Sequence, residues 1–233
     1  MARKKKALQQ TARKLISFTT PRSPIAEQFR TLRTNITFSS PDSDIRTIVV
    51  TSASPGEGKS TAAANLAVVF AQEGKRVLLI DGDMRIPTTH YTFHMGNAQG
   101  LSSVLTRQIS AEEAIRPTAV ENLDLLTCGP IPPNPAELIG SKSMDGLIQN
   151  LKEVYDLIIF DAPPVLSVAD GQLLANKCEG TILVINSGET EKERASKAKE
   201  AILSSNSRLI GAVLNNFVLT KDSNYYQYYG SEE

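Results

Sequence analysis

Long apolar runs and cysteines are both scarce in this 233-residue sequence. No apolar run approaches the roughly eighteen residues that a membrane-spanning helix needs, and the basic first residues lack the apolar core of a secretory signal. We therefore expect a cytoplasmic protein. The two cysteines, Cys128 and Cys178, lie far apart and without the spacing of a metal site, so reduced structural thiols are expected.

The sequence also lacks net charge, because 25 basic residues stand against 25 acidic ones. Six basic residues nevertheless crowd into its first fourteen positions, with no acid before Glu27. They are Arg3, Lys4, Lys5, Lys6, Arg13 and Lys14. We interpret residues 1–20 as a flexible, solvated arm; contact with anionic lipid, nucleic acid or an acidic partner segment is the alternative. The rest of the chain has an excess of acid, so no nucleic-acid-binding face is expected.

Six apolar, β-branched runs follow the arm and alternate with stretches of helical period. The runs are RTIVVTS (46–52), RVLLIDGD (76–83), LDLLTCG (123–129), DLIIFDAP (156–163), GTILVINS (180–187) and RLIGAVLNN (208–216). Near-continuous apolar character is typical of strands that are covered on both faces. The pattern predicts one α/β domain over residues 21–219, with a doubly wound, mostly parallel sheet flanked by helices.

Helices are expected between the runs, at residues 59–73, 143–152, 168–176 and 191–204. A further helix precedes the first strand, since Ser23 can cap it and Pro24 suits its first position. Its apolar stripe consists of Ile25, Phe29, Leu32 and Ile36. The proline-rich residues 129–138 predict a rigid, extended loop, which could serve as a lid, a docking edge or a plain connector.

The strongest chemical signal is TSASPGEGKST, residues 51–61, between a predicted strand and a predicted helix. Gly56 and Gly58 allow a tight turn whose N–H groups face phosphate oxygens, at the positive end of the helix dipole. Lys59 can neutralise the β- and γ-phosphates of a nucleotide, and the Ser60 hydroxyl can ligate Mg²⁺. This is a P-loop. Its expected nucleotide-binding residues are Pro55, Gly56, Glu57, Gly58, Lys59, Ser60 and Thr61.

Three aspartates accompany the P-loop, because Asp161 ends the run YDLIIFD while Asp81 and Asp83 close LLIDGD. Parallel strands bring their carboxyl ends to one edge of a sheet, so we expect all three beside Lys59. Acids that end buried strands are costly unless a cation or hydrogen bonds compensate them. The arrangement predicts Mg²⁺ held, directly or through water, by Ser60 and the three aspartates.

These groups are typical of phosphoryl transfer, in which one carboxylate orients or deprotonates the attacking hydroxyl. Whether water or a side chain attacks separates an ATPase from a kinase, and the P-loop leaves both open.

Two further polar residues have alternative roles. Arg85 could reach a phosphate or form a surface salt bridge. Asn215, at the end of the last run, could offer its amide to a purine or form a turn. No guanine-specifying NKxD occurs, so ATP is the expected nucleotide.

The motifs SPGEGKS, LLIDGDMR and LIIFDAPP, followed by a tyrosine-rich tail, resemble those of the bacterial tyrosine kinases, P-loop kinases linked to capsule and exopolysaccharide production. The resemblance covers nearly the whole chain. It implies an ATP- and Mg²⁺-dependent protein-tyrosine kinase in which Lys59 and Ser60 have the Walker A roles, Asp81 and Asp83 the A′ roles, and Asp161 the Walker B role. An A′ aspartate is then the base, for which we favour Asp81.

The tail, residues 220–233, carries four of the six tyrosines. They are Tyr225, Tyr226, Tyr228 and Tyr229. The resemblance implies autophosphorylation between the subunits of a homo-oligomeric ring. Glu27, Arg30 and Arg33 fit the family's ExxRxxR element, which packs against the neighbouring subunit; a solvated helical face is the alternative. The tyrosine spacing follows neither strand nor helix period, so a packed aromatic face is disfavoured. Phosphates would add negative charge to this acidic tail and should therefore loosen the ring.

The resemblance further implies that the cytoplasmic tail of a membrane adaptor, of the polysaccharide co-polymerase type, stimulates the kinase at the membrane.

The main alternative to a tyrosine kinase is a partitioning or division-site P-loop ATPase. Those proteins carry a lysine early in the P-loop, where this chain has Ser54, and their membrane-targeting members end in a basic amphipathic helix, unlike KDSNYYQYYGSEE. The ring size, the pathway, the order of phosphorylation and the other protein substrates stay open.

Overall fold

The computed structural model describes residues 13–40 and 44–218. The four tail tyrosines therefore lie outside the described residues, as do most of the predicted basic arm and its first four charges. The strands are β1 (Thr47–Ser52), β2 (Val77–Asp81), β3 (Arg116–Pro117), β4 (Leu123–Leu126), β5 (Leu157–Asp161), β6 (Gly180–Asn186) and β7 (Leu209–Asn215). They form one sheet in the order β3-β4-β2-β5-β1-β6-β7, in which only β3 is antiparallel to its neighbour.

Ten helices occur within the described residues. They are α1 (Ile16–Thr19), α2 (Pro24–Phe38), α3 (Lys59–Ala71), α4 (Thr89–Thr92), α5 (Leu101–Leu105), α6 (Ala111–Ala114), α7 (Pro135–Gly140), α8 (Lys142–Val154), α9 (Ala169–Lys177) and α10 (Lys192–Ser204). Helices α2 and α3 cover one face of the sheet, while α5 to α10 cover the other. The predicted doubly wound α/β class is confirmed. None of the helices in this part of the chain has the length and apolar character to cross a bilayer.

The central strands β1, β2 and β5 are buried at every position, which explains their unbroken apolar sequences. Along β1, Ile48 and Val50 pack with α2 and α3, whereas Val49 packs with the helices of the other face. The register of the parallel pair β2–β5 makes Asp81 and Asp161 direct partners. The buried core therefore sets two of the three predicted acids side by side at the carboxyl edge.

The start of the domain corrects the predicted arm, because residues 13–20 are packed and partly helical. Ser17 is fully buried, and its N–H donates to the Asn65 side chain at 2.9 Å. The amide of Asn65 in turn donates to the Lys14 carbonyl at 2.9 Å. Asn65 on α3 thus binds the backbone of this segment, a polar contact that leaves no trace in the apolar periodicity of the sequence.

Helix α2 has the predicted cap, since the Ser23 hydroxyl accepts the Ala26 N–H at 3.2 Å and Pro24 opens the helix. The predicted stripe is wrong at its first position. Ile25 is 47% exposed, whereas Ala26 is completely buried. Because α2 packs closely on α3, a small side chain occupies the contact at that end.

The predicted extended loop over residues 129–138 ends early, because α7 begins at Pro135. A proline is well suited to the first turn of a helix, where its missing N–H has no intrahelical partner. The five shortest elements that were not predicted, α1, α4, α5, α6 and β3, have two to five residues each, too few for a periodic pattern to appear.

Candidate active site

The P-loop joins β1 to α3 and turns as its glycines predict. Gly56 and Gly58 have φ angles of +85° and +95°, in the left-handed region that favours glycine. A Cβ on Gly58 would also lie only 2.0 Å from Nδ2 of Asn215. Helix α3 begins directly at Lys59, so its free N–H groups face the loop.

The residues expected to contact nucleotide differ in how accessible they are. Pro55 and Gly56 are exposed, Gly58, Lys59 and Thr61 are half-buried, and Glu57 and Ser60 are buried. The Glu57 carboxylate accepts the N–H groups of Ala53 and Ser54 at 2.8 and 3.0 Å, and the Thr190 hydroxyl at 2.6 Å. Its side chain therefore braces the P-loop internally instead of facing a nucleotide.

Lys59 lies between two of the predicted acids. Its ammonium nitrogen is 3.1 Å from Oδ2 of Asp83, 3.4 Å from Oδ1 of Asp161 and 3.5 Å from the Ser60 hydroxyl. Burial by itself would lower the pKa of Lys59, but the charges of Asp161 and Asp83 outweigh this effect and raise it. The structure thus brings together the groups that the sequence placed on three separate strand ends.

Asp81 is completely buried and bound by backbone N–H groups. Its Oδ2 accepts from Thr88 at 3.1 Å and from Thr89 at 2.9 Å, and its Oδ1 accepts from Asp83 at 3.3 Å. Burial, and then the charge of Asp161, raise the pKa of Asp81 to about 7, although the Thr89 hydrogen bond and the charge of Lys59 act to lower it. The Thr89 hydroxyl also donates to Oδ2 of Asp161 at 3.4 Å. Two threonines without a motif of their own therefore orient the acids.

Asp83 is the most accessible of the three aspartates, at 6% exposure against 0% for Asp81 and 1% for Asp161. Its Oδ1 accepts the N–H groups of Arg85 and Ile86 at 3.3 and 3.0 Å. This closes a tight turn at the mouth of the site.

Arg85 forms a salt bridge, which is one of the two alternatives predicted for this residue. Its Nε and Nη2 bind the two oxygens of Asp170 at 2.9 and 3.0 Å, and the carboxylate is fully buried. The bidentate bond raises the pKa of the Arg85 guanidinium. Asp170 belongs to the first turn of α9, and the sequence showed nothing that linked it to Arg85.

Asn215 ends β7 and contacts the P-loop. Its Nδ2 donates to the Glu57 carbonyl at 3.0 Å. An amide NH2 has two N–H donors, so this contact uses one of them, and purine binding by Asn215 stays a prediction. The next residue, Asn216, donates to Oδ1 of Asn186 at 2.9 Å, so the end of β7 is fastened at two points.

The charged residues of α2 do not all face away from the core. Arg30 forms an ion pair of 2.7 Å with Glu27 along the helix. Arg33 instead donates to the Val69 carbonyl at 2.9 Å and lies 3.6 Å from the Glu73 carboxylate, so it binds the end of α3. The charged pair Glu27–Arg30 stays on the outer surface, whereas Arg33 is committed to its own subunit.

Magnesium fits this site as a nucleotide-linked ion. Among the described residues no group of three or more acidic, histidine or cysteine side chains forms a protein-only metal cage. Mg²⁺ in nucleotide sites is held by one or two carboxylates, phosphate oxygens and waters. The buried Ser60 hydroxyl, beside Asp83 and Asp161 around Lys59, provides such a partial set of oxygen ligands.

Both cysteines are free and buried, as predicted. Burial raises the pKa of the Cys128 and Cys178 thiols to about 12, so neither is a reactive thiolate at neutral pH.

Comparison with known proteins agrees with the geometry of the site. A family model described as an AAA domain matches residues 45–189. Tyrosine-protein kinase YwqD of Bacillus subtilis is 52% identical over 100% of this chain and 98% of its own length. Putative tyrosine-protein kinase CapB of Staphylococcus aureus is 42% identical over 91% of this chain and 93% of its own.

A solved structure, described as that of the chimerical protein CapA2B2, superimposes with a TM-score of 0.85 at 45% identity, covering 89% of this chain and 93% of that one. The match to YwqD spans this whole chain and so includes the P-loop and its aspartates, and the two kinase relatives are matched over nearly their full lengths. The chain therefore belongs to the bacterial tyrosine kinases, in the group whose kinase is a separate chain, and is a nucleotide-binding tyrosine-protein kinase.

Proposed function

We propose that this kinase uses ATP and Mg²⁺ to phosphorylate the tyrosines of its own C-terminal cluster within a homo-oligomeric ring. The observation that carries the proposal is the convergence of Lys59, Ser60, Asp81, Asp83 and Asp161 on the P-loop. Other tyrosine-containing proteins are further substrates of the same chemistry.

The P-loop and Lys59 would hold the β- and γ-phosphates, with Ser60, Asp83 and Asp161 around the metal, directly or through water. When bound, Mg²⁺ neutralises charge on the phosphates. Asp81 is the proposed base: the tyrosine oxygen bonds to the γ-phosphorus, its proton passes to the carboxylate, and the bridging oxygen leaves with ADP. A pKa of about 7 for Asp81 supports this, because a base works best near the operating pH.

Strand β7, the last described strand, ends at the edge that carries these groups. Asn215 contacts the P-loop, and from Val218 seven further residues reach Tyr225, a span of about 24 Å when extended. Tyrosines on such a tether can reach their own active site or a neighbour's, at an effective concentration in roughly the millimolar range. In the ring, the outer charges of Glu27 and Arg30 would contact the adjacent subunit, with Arg33 supporting α2 from behind.

We further propose that a membrane adaptor activates the kinase and holds it at the membrane. The solved relative CapA2B2 is described as a chimerical protein, that is, one that joins parts of different proteins, and CapB is the name of the S. aureus kinase relative. We also propose a role in capsule or exopolysaccharide production, because the chain belongs to the bacterial tyrosine kinases, which are linked to it.

Labelling with ATP tests the proposed reaction. The full chain, incubated with ATP and Mg²⁺ with and without an adaptor tail, should gain phosphate on Tyr225, Tyr226, Tyr228 and Tyr229, as read by mass spectrometry. Lys59→Ala should abolish the labelling. Lys75→Ala is the matched control, because that lysine packs over the Phe70 ring away from the P-loop. Release of phosphate without any labelled tyrosine would refute the proposal.

A further inference from the structure

Two exposed isoleucines occupy equivalent places at the carboxyl edge of the sheet. Ile86 is 70% and Ile131 62% exposed. Each lies five residues beyond the end of its strand, Ile86 after β2 and Ile131 after β4, and these strands are neighbours. A single exposed isoleucine is ordinary on a protein surface. These two differ from ordinary surface residues in how firmly their loops are held.

The loop of Ile86 is bound to the catalytic acids. The Ile86 N–H donates to Oδ1 of Asp83 at 3.0 Å, so covalent geometry puts its Cβ within about 5.5 Å of that oxygen. On one side Arg85 is held by both oxygens of the buried Asp170. On the other side Pro87 restricts the backbone. An aliphatic side chain is thus kept in solvent next to a carboxylate of the candidate active site.

The loop of Ile131 is held in a comparable way. The Asn97 side chain accepts the Gly129 N–H at 2.8 Å and donates to the Gly129 carbonyl at 2.9 Å. The Ser102 hydroxyl donates to the Pro130 carbonyl at 2.7 Å. Prolines stand on both sides of Ile131 and restrict the backbone further. Neither isoleucine is buried, so core packing does not account for this rigidity.

A tyrosine acceptor would gain binding energy from an apolar contact at this place, because its ring is largely apolar. Its hydroxyl must reach Lys59 and the aspartates, and its ring then extends outward by about 6.5 Å from the oxygen to Cβ. The groups that would surround the hydroxyl, Lys59 and the three aspartates, are charged or hydrogen-bonded and are not themselves apolar partners for the ring. Ile86 stands beside Asp83, and Ile131 stands on the next loop along the same edge.

We propose that Ile86 and Ile131 form the rim that receives the phenyl ring of the acceptor tyrosine, with Ile86 nearer its hydroxyl end. This makes them specificity-determining residues of the kinase. The inference rests on transfer to tyrosine, and it does not require the tail to be the acceptor.

Steady-state kinetics with two acceptors tests this rim. The full chain is assayed at saturating ATP with a random copolymer of glutamate and tyrosine and, separately, with a synthetic KDSNYYQYYGSEE peptide. Ile86→Ala should raise KM for each acceptor about fivefold while kcat changes less than about twofold, since apolar contact with the ring is lost but the acids stay in place. Ile131→Ala should have a smaller effect in the same direction. The separate variant Ile86→Leu keeps an aliphatic side chain and should have the wild-type KM.

Phe38→Ala is the matched control, because this side chain is 74% exposed at the far end of α2 and should leave both parameters unchanged. An unchanged acceptor KM in the Ile86→Ala, Ile131→Ala double variant would overturn the proposal. So would a fall in kcat with unchanged KM, which would indicate disturbance of Asp83. If the copolymer responds as expected but the peptide is not phosphorylated, the rim stands and tail phosphorylation fails.

Discussion

At the scale of single residues, the site is an arrangement of buried charges that compensate one another. Asp81 and Asp161 are strand partners with almost no exposure, and three backbone N–H groups and Lys59 stabilise them. Such acids lower the stability of the folded protein when they are ionised without a cation, because charge is then confined in a medium of low polarity. This loss of stability is a consequence of the proposed function, since the same carboxylates are needed beside the phosphates to hold the metal and to accept the proton.

Asp81 makes stability depend on pH in a direction that can be checked. Its pKa is raised from 3.8 to about 7, so between these values the folded protein binds more protons at Asp81 than the unfolded chain does, and its contribution to stability is lost as the pH rises. Asn does not titrate, so the free energy of unfolding of Asp81→Asn minus that of the wild type should increase by up to about 4 kcal/mol as the pH rises from 4 to 8. Urea titrations in the presence of a chelator measure this difference; a constant difference across the range would contradict it.

At the scale of elements, the P-loop is braced by segments that are distant in sequence. The β6–α10 loop reaches Glu57 through the Thr190 hydroxyl, which also accepts the Asn186 N–H at 3.0 Å, and β7 reaches the same loop through Asn215. These contacts hold the loop in the turned conformation that its glycines allow.

Thr190→Val removes the hydroxyl at nearly constant volume and leaves the buried Glu57 carboxylate with fewer donors. We expect a loss of about 1–3 kcal/mol in the free energy of unfolding. The KM for ATP should rise several-fold while kcat changes little, because the loop is less well organised for binding. Thr190→Ser keeps the hydroxyl and should restore both. A fall in stability with unchanged KM for ATP would mean that the contact supports only the fold.

Arg85 and Asp170 connect the loop after β2 to α9. Arg85→Met leaves a buried carboxylate without its cation, and we expect it to cost about 3 kcal/mol, whereas the double variant Arg85→Met, Asp170→Asn should recover most of that loss. A double-mutant cycle on chemical denaturation measures the coupling. Additive effects would show that the bidentate pair does not stabilise the turn at Asp83.

At the scale of the whole molecule, assembly and its reversal depend on charge. Each phosphate on the tail adds about −1.5 to −2 charge, so four of them add roughly −6 to −8 to an already acidic segment. We expect the unphosphorylated protein to be a ring and the fully phosphorylated protein to be smaller, as read by light scattering on a sizing column. A variant with phenylalanine at Tyr225, Tyr226, Tyr228 and Tyr229 should keep its mass after incubation with ATP. Identical masses before and after full phosphorylation would refute the switch.

The ring contact has its own test, because the Glu27–Arg30 pair is exposed on α2. Glu27→Arg places like charges together and should lower the mass of the unphosphorylated protein, with Glu112→Arg, at another exposed acid, as the control. If both variants keep the wild-type mass, α2 is not the ring contact.

Much of the fold and the centre of the site could be predicted because their signals are local in sequence. The apolar runs, the glycines of the P-loop and the acids at strand ends each lie within a few residues, and the carboxyl ends of parallel strands meet at one edge. The stripe of α2 was predicted less well, since Ala26 and not Ile25 is buried. There the packing of α2 on α3 decided which side chain is covered.

The sequence by itself determined the α/β class, the P-loop and the identity of Lys59, Asp81, Asp83 and Asp161. Only the tertiary structure decided what braces them: Thr89 on Asp161, Asp170 on Arg85, Thr190 on Glu57 and Asn215 on the P-loop. These partners are 72 to 158 residues apart in the chain. Hydrogen bonds of this kind depend on side-chain positions that exist only once the sheet and its helices are packed, because no short-range pattern encodes them.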